Sequence, residues 1–166
     1  MRILAALATA LLLAVPSSHA LAQEDGPLAA LVALQPLPEP TPPDIDAVLK
    51  AQWPTYYRAS GELSFGPDQV RAGRIDLDED GKAELFLLLD SPDWATDSGG
   101  PLMVARWTNT GWEPIGWSYA QPEEVYLTTE RAGGWSTIRT PAYWLRWNGK
   151  VYRATPRVVE ASPQPE

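Results

Sequence analysis

The sequence predicts a mainly β domain, an antiparallel meander of hairpins with a short helix at its N-terminal side (α+β at the margin). Three observations support this fold class: short apolar or alternating runs after Gly61, turn residues between those runs, and one helical pattern before them. With roughly 120 residues in the predicted domain, we expect a single core.

The helical pattern begins at about Asp44, which is placed to cap the first turn. The apolar residues recur at the spacing of one helix face: Ile45, Val48, Leu49 and Trp53. Pro54 interrupts the pattern, so we expect the helix to end there. Tyr56 and Tyr57 are expected to form a second turn.

Nine short runs follow, and each is bounded by turn residues. The predicted strands are residues 62–65, 70–77, 83–89, 102–107, 112–117, 124–129, 135–139, 142–147 and 151–154. Asn148-Gly149 is typical of a two-residue hairpin turn, because both residues tolerate positive φ. Asn109 to Gly111 is expected to do similar work between the strands at 102–107 and 112–117.

The N-terminus has the features of a secretion signal over residues 1–22. Arg2 precedes an apolar run at 3–15, and Ala20 and Ala22 form a small-residue cleavage site. The run is about 13 residues long, which is short of the roughly 20 that span a bilayer. We therefore expect a periplasmic or secreted protein without a membrane anchor.

The domain is expected to have an extension at each end. Residues 23–43 are rich in proline in their second half and are expected to be a disordered, extended tether. A single β-rich domain is predicted over residues 44–156, and residues 157–166 are expected to be a flexible tail.

Composition excludes several kinds of chemistry from the predicted mature chain. The sequence has no cysteine, and its one histidine, His19, lies within the signal. Catalysis or metal binding that needs imidazole or thiolate is therefore not expected. Loss of Arg2 with the signal leaves 12 basic residues against 21 acidic ones. Nucleic acid is a poor partner for a surface of this charge.

Acidic residues alternate in the predicted turn over residues 76–84, which we call the acidic loop. Its candidate metal ligands are Asp76, Asp78, Asp80 and Glu84, with Lys82 offering its carbonyl oxygen. Calcium prefers several oxygen ligands on a tightly turning loop, and Gly81 supplies the turn. The alternative is a hairpin that uses Asp80-Gly81 for its geometry and leaves the carboxylates in water.

The acidic loop departs from an EF-hand, because position twelve is Leu87 and strands are predicted on both sides. It resembles the calcium loop of FG-GAP-type β-propeller repeats, in which a DxDxDG stretch is followed by an acidic residue at position nine. That resemblance covers about a dozen residues, and it implies Ca2+ as the bound ion in a structural role.

A longer stretch, from Arg74 to about Tyr152, resembles a group of small exported bacterial proteins of uncharacterised function. The shared motifs are the acidic loop, Pro92-Asp93-Trp94, Ser98-Gly99-Gly100, Gly111-Trp112, Gly133-Gly134-Trp135 and Leu145-Arg146-Trp147-Asn148-Gly149-Lys150. The group's pattern has a cysteine on each side of the Gly-rich loop, where this chain has Ala95 and Pro101. The resemblance implies the fold and the exported localisation of the protein, but it implies no activity.

The long polar loop over residues 90–100 is a second candidate site, since such loops often bind ligands. Its candidate ligand-binding residues are Asp93, Trp94 and Asp97. Five tryptophans on predicted strands either pack in the core or form a platform for sugar rings: Trp107, Trp112, Trp117, Trp144 and Trp147. By strand alternation, Trp112 and Trp117 are expected to face opposite sides of their strand, and so are Trp144 and Trp147.

The function best supported by these patterns is an exported, non-catalytic domain, stabilised by calcium, that binds a protein or a cell-envelope component. One alternative is a glycan-binding module that uses exposed tryptophans. A second is a glycoside hydrolase with two carboxylates as acid and base, such as Asp93 with Asp97 or Glu123 with Glu124.

Overall fold

Two five-stranded antiparallel sheets form the body of the fold in a computed structural model that describes residues 27–158, except 57, 59, 61–63 and 65. Helix α1 spans Pro43–Gln52, and short 3-10 turns occupy Pro54–Tyr56 and Pro67–Gln69. The strands are β1 (Leu28–Leu31), β2 (Gln35–Pro36), β3 (Val70–Ile75), β4 (Glu84–Leu89), β5 (Gly100–Thr108), β6 (Gly111–Ala120), β7 (Tyr126–Ala132), β8 (Trp135–Arg139), β9 (Tyr143–Trp147) and β10 (Tyr152–Pro156).

The mainly β fold class is confirmed. Sheet A has the order β1-β7-β8-β9-β10, and sheet B has the order β2-β3-β4-β5-β6, so each is a meander except where β1 joins β7. Eight of the nine predicted strands coincide with β3 to β10. The ninth, at 62–65, lies almost wholly outside the described residues, as do Tyr57, the signal at 1–22 and most of the tail at 157–166.

Sheet B is the middle layer, and both of its faces are covered. Every residue of β4 is buried, because alternate side chains enter two different cores. Phe86 and Leu88 pack toward sheet A, whereas Leu85 and Leu87 pack toward α1. This arrangement explains why β4 reads as a continuous apolar run instead of an alternating one.

Helix α1 buries the face that the sequence predicts: Ile45, Val48, Leu49 and Trp53. The expected cap is wrong, however. The N-cap position is Pro42, no side chain caps the helix, and Asp44 lies within the first turn. The Asp44 carboxylate instead accepts hydrogen bonds from Trp112 Nε1 at 2.9 Å and from Arg74 at 3.1 Å.

The expected tether at 23–43 differs from the structure, which places β1 and β2 within it. Strand β1 pairs with β7, and β2 pairs with β3. Val32, Leu34 and Leu37 between and beside these strands are buried in the two cores. Pro36 is compatible with pairing because β2 is an edge strand. The outer side of such a strand has no partner, so the missing N–H group of proline costs no hydrogen bond there. The domain therefore begins before Asp44.

Two hairpin turns have lengths other than those expected. Thr108 pairs with Gly111, so the β5–β6 connection is the two-residue turn Asn109-Thr110. Trp147 pairs with Tyr152, so four residues, 148–151, connect β9 to β10. The Asn148 carbonyl oxygen Oδ1 accepts the amides of Lys150 and Val151, which holds this longer turn.

A β-bulge in β6 changes the facing of its tryptophans. The pairing register shifts between Val104 and Ala105, and Ile115 is the extra residue. Trp117 lies opposite Met103 and contacts Trp53 with ring centroids 5.3 Å apart, while Trp112 packs against the same α1-side core. The expectation that Trp112 and Trp117 face opposite sides is therefore wrong, because a bulge breaks the two-residue alternation.

Candidate functional site: the acidic loop

The acidic loop joins β3 to β4 and is shaped by its own aspartates. Asp78 Oδ1 accepts the amide of Asp80 at 3.2 Å, and Asp80 Oδ1 accepts the amide of Lys82 at 2.8 Å. Glu79 (φ 64°) and Gly81 (φ 87°) have left-handed backbones that let the chain turn between these bonds. The alternating acidic residues thus form consecutive Asx turns.

Three of the predicted ligands come together. One carboxylate oxygen from each of Asp76, Asp78 and Glu84 lies within 4.8 Å of the other two. Calcium–oxygen bonds of about 2.3–2.6 Å allow two ligands of one ion to be at most about 5 Å apart. This group can therefore hold a metal ion.

Glu84 is the buried member of the group, with 5 % of its surface exposed. Burial raises the pKa of its carboxyl group to about 7, and the negative charges of Asp78 and Asp76 act in the same direction. A hydrogen bond of 2.8 Å from the Leu77 amide to Glu84 Oε2 opposes this effect. A bound cation would favour the ionised form.

Asp76 contributes an oxygen that has no partner among the described residues. Its Oδ2 atom accepts the amide of Gly81 at 2.8 Å, whereas its Oδ1 atom is buried and makes no hydrogen bond. Buried carboxylate oxygens are usually satisfied, and an unsatisfied one calls for an explanation such as an ion.

Asp80 and Lys82 lie outside the group of three. Asp80 Oδ2 is 3.8 Å from Lys82 Nζ, and both side chains are largely exposed. Asp80 therefore supports the turn through the Lys82 amide, and the sequence could not distinguish this role from metal ligation, because alternation alone places Asp76, Asp78 and Asp80 equivalently.

The acidic loop is attached to sheet A as well as to sheet B. The Leu77 carbonyl accepts the Ser136 amide at 2.8 Å, and Arg131 forms an ion pair with Glu79. Tyr152 donates its hydroxyl hydrogen to the Ser136 carbonyl at 2.8 Å, and burial raises the pKa of this tyrosine above its usual value. A metal ion here would therefore stabilise the junction between the two sheets.

The second predicted site, the loop at 90–100, borders a depression of about 460 Å³. Its lining includes Asp90, Ser91 and Thr96 but none of the predicted ligand-binding residues. Those three, Asp93, Trp94 and Asp97, are all exposed. The loop is held by hydrogen bonds between the main chains of Thr96 and Gly99.

The five strand tryptophans do not form one platform. Trp144 is buried, and Trp147 stacks on Trp135 with ring centroids 4.2 Å apart. Trp112 is half-buried, whereas Trp107 and Trp117 are exposed by 52 % and 43 %. Of these five side chains, Trp107 and Trp117 are therefore the exposed ones.

One cluster was not predicted as a site. Asp44, Arg74 and Trp112 come from α1, β3 and β6, and the Arg74 guanidinium lies 5.1 Å from the Trp112 ring centroid. Nothing local in the sequence marks these residues as neighbours, since their contact depends on how α1 packs on sheet B.

Comparison of the chain with protein-family models, with curated proteins and with solved structures finds no match. None of the helices in the described part of the chain combines the length and the apolar character that a membrane span requires.

Proposed function

We propose that the chain is an exported, non-catalytic binding domain whose fold is stabilised by a calcium ion held at Asp76, Asp78 and Glu84. The observation that carries this proposal is the convergence of the three carboxylates, with oxygens within 4.8 Å of one another. Three negative charges this close repel, and a divalent cation removes the repulsion. The unpartnered Asp76 Oδ1 atom supports the same conclusion.

Calcium suits this group better than magnesium does. Calcium accepts six to eight oxygens in irregular geometry, including main-chain carbonyls, whereas magnesium needs a near-ideal octahedron and keeps several waters. A turning loop with three carboxylates offers its oxygens in an irregular arrangement, which calcium accepts. The carbonyl oxygen of Lys82 remains the proposed additional ligand.

We propose a structural role for the ion. The acidic loop is hydrogen-bonded to Ser136 of sheet A while it connects two strands of sheet B. Ordering the loop therefore stabilises the contact between the sheets. The export of the domain is proposed from the N-terminal signal pattern, and its partner is proposed to be a protein or another component of the cell envelope.

A glycoside hydrolase is less well supported than a binding domain. Asp93, Asp97, Glu123 and Glu124 are all exposed. A retaining or inverting enzyme needs two carboxyl groups facing each other across a cleft, one of them in an environment that keeps it protonated. The glycan-binding alternative has a specific observation in its favour, the exposed Trp107.

Calorimetric titration with Ca2+ and thermal unfolding in calcium or in chelator test the proposal. Calcium at about 100 times its dissociation constant should stabilise the fold by about 2.7 kcal/mol, which raises Tm by roughly 10 °C. Asp78→Asn should abolish this rise. Asp93→Asn removes the same charge from an exposed position outside the group and should retain it.

Identical unfolding curves in calcium and in chelator would contradict the metal site. A larger stabilisation by Mg2+ than by Ca2+ would contradict the identity of the ion but leave the site in place.

A further inference from the structure

Trp107 and Trp112 form an indole corner beside the β5–β6 turn, which we call the Trp107 corner. Their ring centroids are 5.1 Å apart and their planes are inclined by 75°. Trp112 is fixed by its hydrogen bond to Asp44 and by the Arg74 guanidinium near its ring. Trp107 is the most exposed tryptophan of the chain, at 52 %. A rigid wall therefore supports an indole that is open to solvent.

Two depressions meet at the Trp107 corner. One, of about 400 Å³, is lined by α1 and by the turn residues Asn109 and Thr110. The other, of about 330 Å³, is lined by Arg74 and Lys82. Trp107 and Trp112 line both depressions, and each volume lies in the range of small-ligand sites. A ligand that occupies both would therefore contact this pair of indoles.

The two depressions differ in charge. The second contains two cations, and the Asp44 carboxylate beside them is already bonded to Arg74 and Trp112. The Lys82 side chain is 77 % exposed, and its Nζ atom lies 3.8 Å from Asp80 Oδ2. The first has no Lys or Arg; beside the same Asp44 carboxylate it offers the Asn109 amide and the Thr110 hydroxyl. An occupant should be anionic at one end and a neutral hydrogen-bonding group at the other.

We propose that the Trp107 corner binds an acidic glycan. A sugar ring has an apolar face of C–H groups for an indole and a rim of hydroxyls for Asn109 and Thr110, and its carboxylate would lie at Arg74 and Lys82. Single-stranded nucleic acid also stacks on indoles, but its binding depends on neutralising several phosphates. The two cations that line this place, Arg74 and Lys82, are too few to neutralise several phosphates.

The binding surface shares one residue with the proposed metal site: the Lys82 side chain lines the second depression, and the Lys82 carbonyl is the proposed additional calcium ligand. Binding is therefore measured in chelator first and then in calcium. Failure of the calcium proposal and failure of this one are thereby distinguished, because loss of metal binding leaves Trp107 and Trp112 in place.

The test is calorimetric titration with a hexasaccharide of alternating glucuronate and N-acetylglucosamine. The matched probe is the same hexasaccharide with its carboxyl groups reduced to alcohols. Trp107→Ala should weaken binding of both by about tenfold or more, as expected for loss of a stacked ring. Trp94→Ala removes another exposed indole and should leave both affinities unchanged. Thermal unfolding of each variant establishes that it is folded.

The charged end of the site is tested with Lys82→Gln. This variant should weaken binding of the acidic hexasaccharide by about threefold and leave the reduced one unchanged, since an exposed ion pair contributes modestly. Lys150→Gln, in the β9–β10 turn, is the matched control. Equal affinity for the acidic and reduced probes would overturn the charge assignment.

Three results would overturn the proposed site itself. One is the absence of binding at millimolar hexasaccharide, and another is loss of binding in Trp94→Ala with retention in Trp107→Ala. The third is tighter binding of a thymidine hexanucleotide than of the hexasaccharide.

Discussion

The main-chain carbonyl of Leu77 accepts a 2.8 Å hydrogen bond from the amide of Ser136. This bond joins the acidic loop of sheet B to a strand of sheet A. The side chain of Leu77 is also fully buried between the sheets. Leu77 therefore fixes the loop through both its main-chain hydrogen bond and the packing of its side chain. The charges of the acidic loop should therefore affect the stability of the whole domain.

The metal-free domain should lose stability as the pH rises from about 4.5 to about 7. Glu84 has a pKa of about 7 in the folded protein against its ordinary value of 4.5, because it is buried beside Asp78 and Asp76. In this window the folded state retains a proton that the unfolded state has lost, so folding is favoured at the lower pH. A difference of this size corresponds to about 3 kcal/mol.

Denaturant unfolding in chelator at several pH values measures this dependence. Glu84→Gln has no titrating group at position 84, so its stability should change less across the window, and the difference between the two proteins isolates the glutamate. Equal slopes for the two proteins would contradict the prediction.

Glu84→Gln should have opposite effects on folding and on metal binding. Its neutral amide avoids burying a charge at pH 8 while its oxygen can still accept the Leu77 amide, so the metal-free variant should be more stable than the wild type by about 1–3 kcal/mol. The same change removes a charged ligand and should weaken calcium binding by about tenfold or more. Unfolding in chelator and calorimetric titration give the two values. Reduced stability in chelator would contradict the first part.

Asp76→Asn and Asp80→Asn should differ in their effect on calcium, although the two residues are equivalent in the sequence pattern. Asp76 belongs to the group of three and Asp80 does not. We expect a loss of affinity of about tenfold or more for Asp76→Asn and of less than about threefold for Asp80→Asn. The two variants have the same charge, so titration of each under the same conditions is a matched comparison. Equal losses would place Asp80 among the ligands.

Leu34→Ala should destabilise the domain, although Leu34 lies in the segment expected to be a tether. Its side chain is 5 % exposed and belongs to the core between the sheets. Truncation should cost about 2–4 kcal/mol through lost burial and the cavity left behind. Leu31→Ala is the control, because Leu31 in the same segment is 49 % exposed and its truncation should change stability by less than about 0.5 kcal/mol. Similar values for both variants, measured by denaturant unfolding, would show that the segment does not pack.

The hairpins from β3 to β10 could be predicted because their turns and apolar runs are local signals. Strands β1 and β2 could not, since they are four and two residues long and all of their residues are exposed. Their pairing depends on β7 and β3, which are distant in the sequence. The bulge at Ile115 was also hidden, because it is a property of the pairing between β5 and β6 and not of either strand alone.

The candidate metal site was predicted in part for the same reason. Asp76, Asp78 and Glu84 are recognisable from their spacing, but the orientation of Asp80 toward the Lys82 amide and side chain depends on the turn's backbone. The sequence around Asp44 predicts a helix cap, because an aspartate just before a helical pattern is typical of that position. Its actual partner, Trp112, follows 68 residues later, so no local pattern reveals the contact.

The pairing of Leu28 with Thr128 sets an order on folding, because the two strands lie far apart in the chain. The first strand of sheet A is made before any strand of sheet B, yet its partner β7 is made after all of them. Sheet B can assemble from neighbouring hairpins of low contact order, whereas sheet A gains its outer strand only through a closure across nearly the whole domain. The N-terminal strand therefore cannot pair with β7 until the chain through β7 is present, which makes its docking a late event.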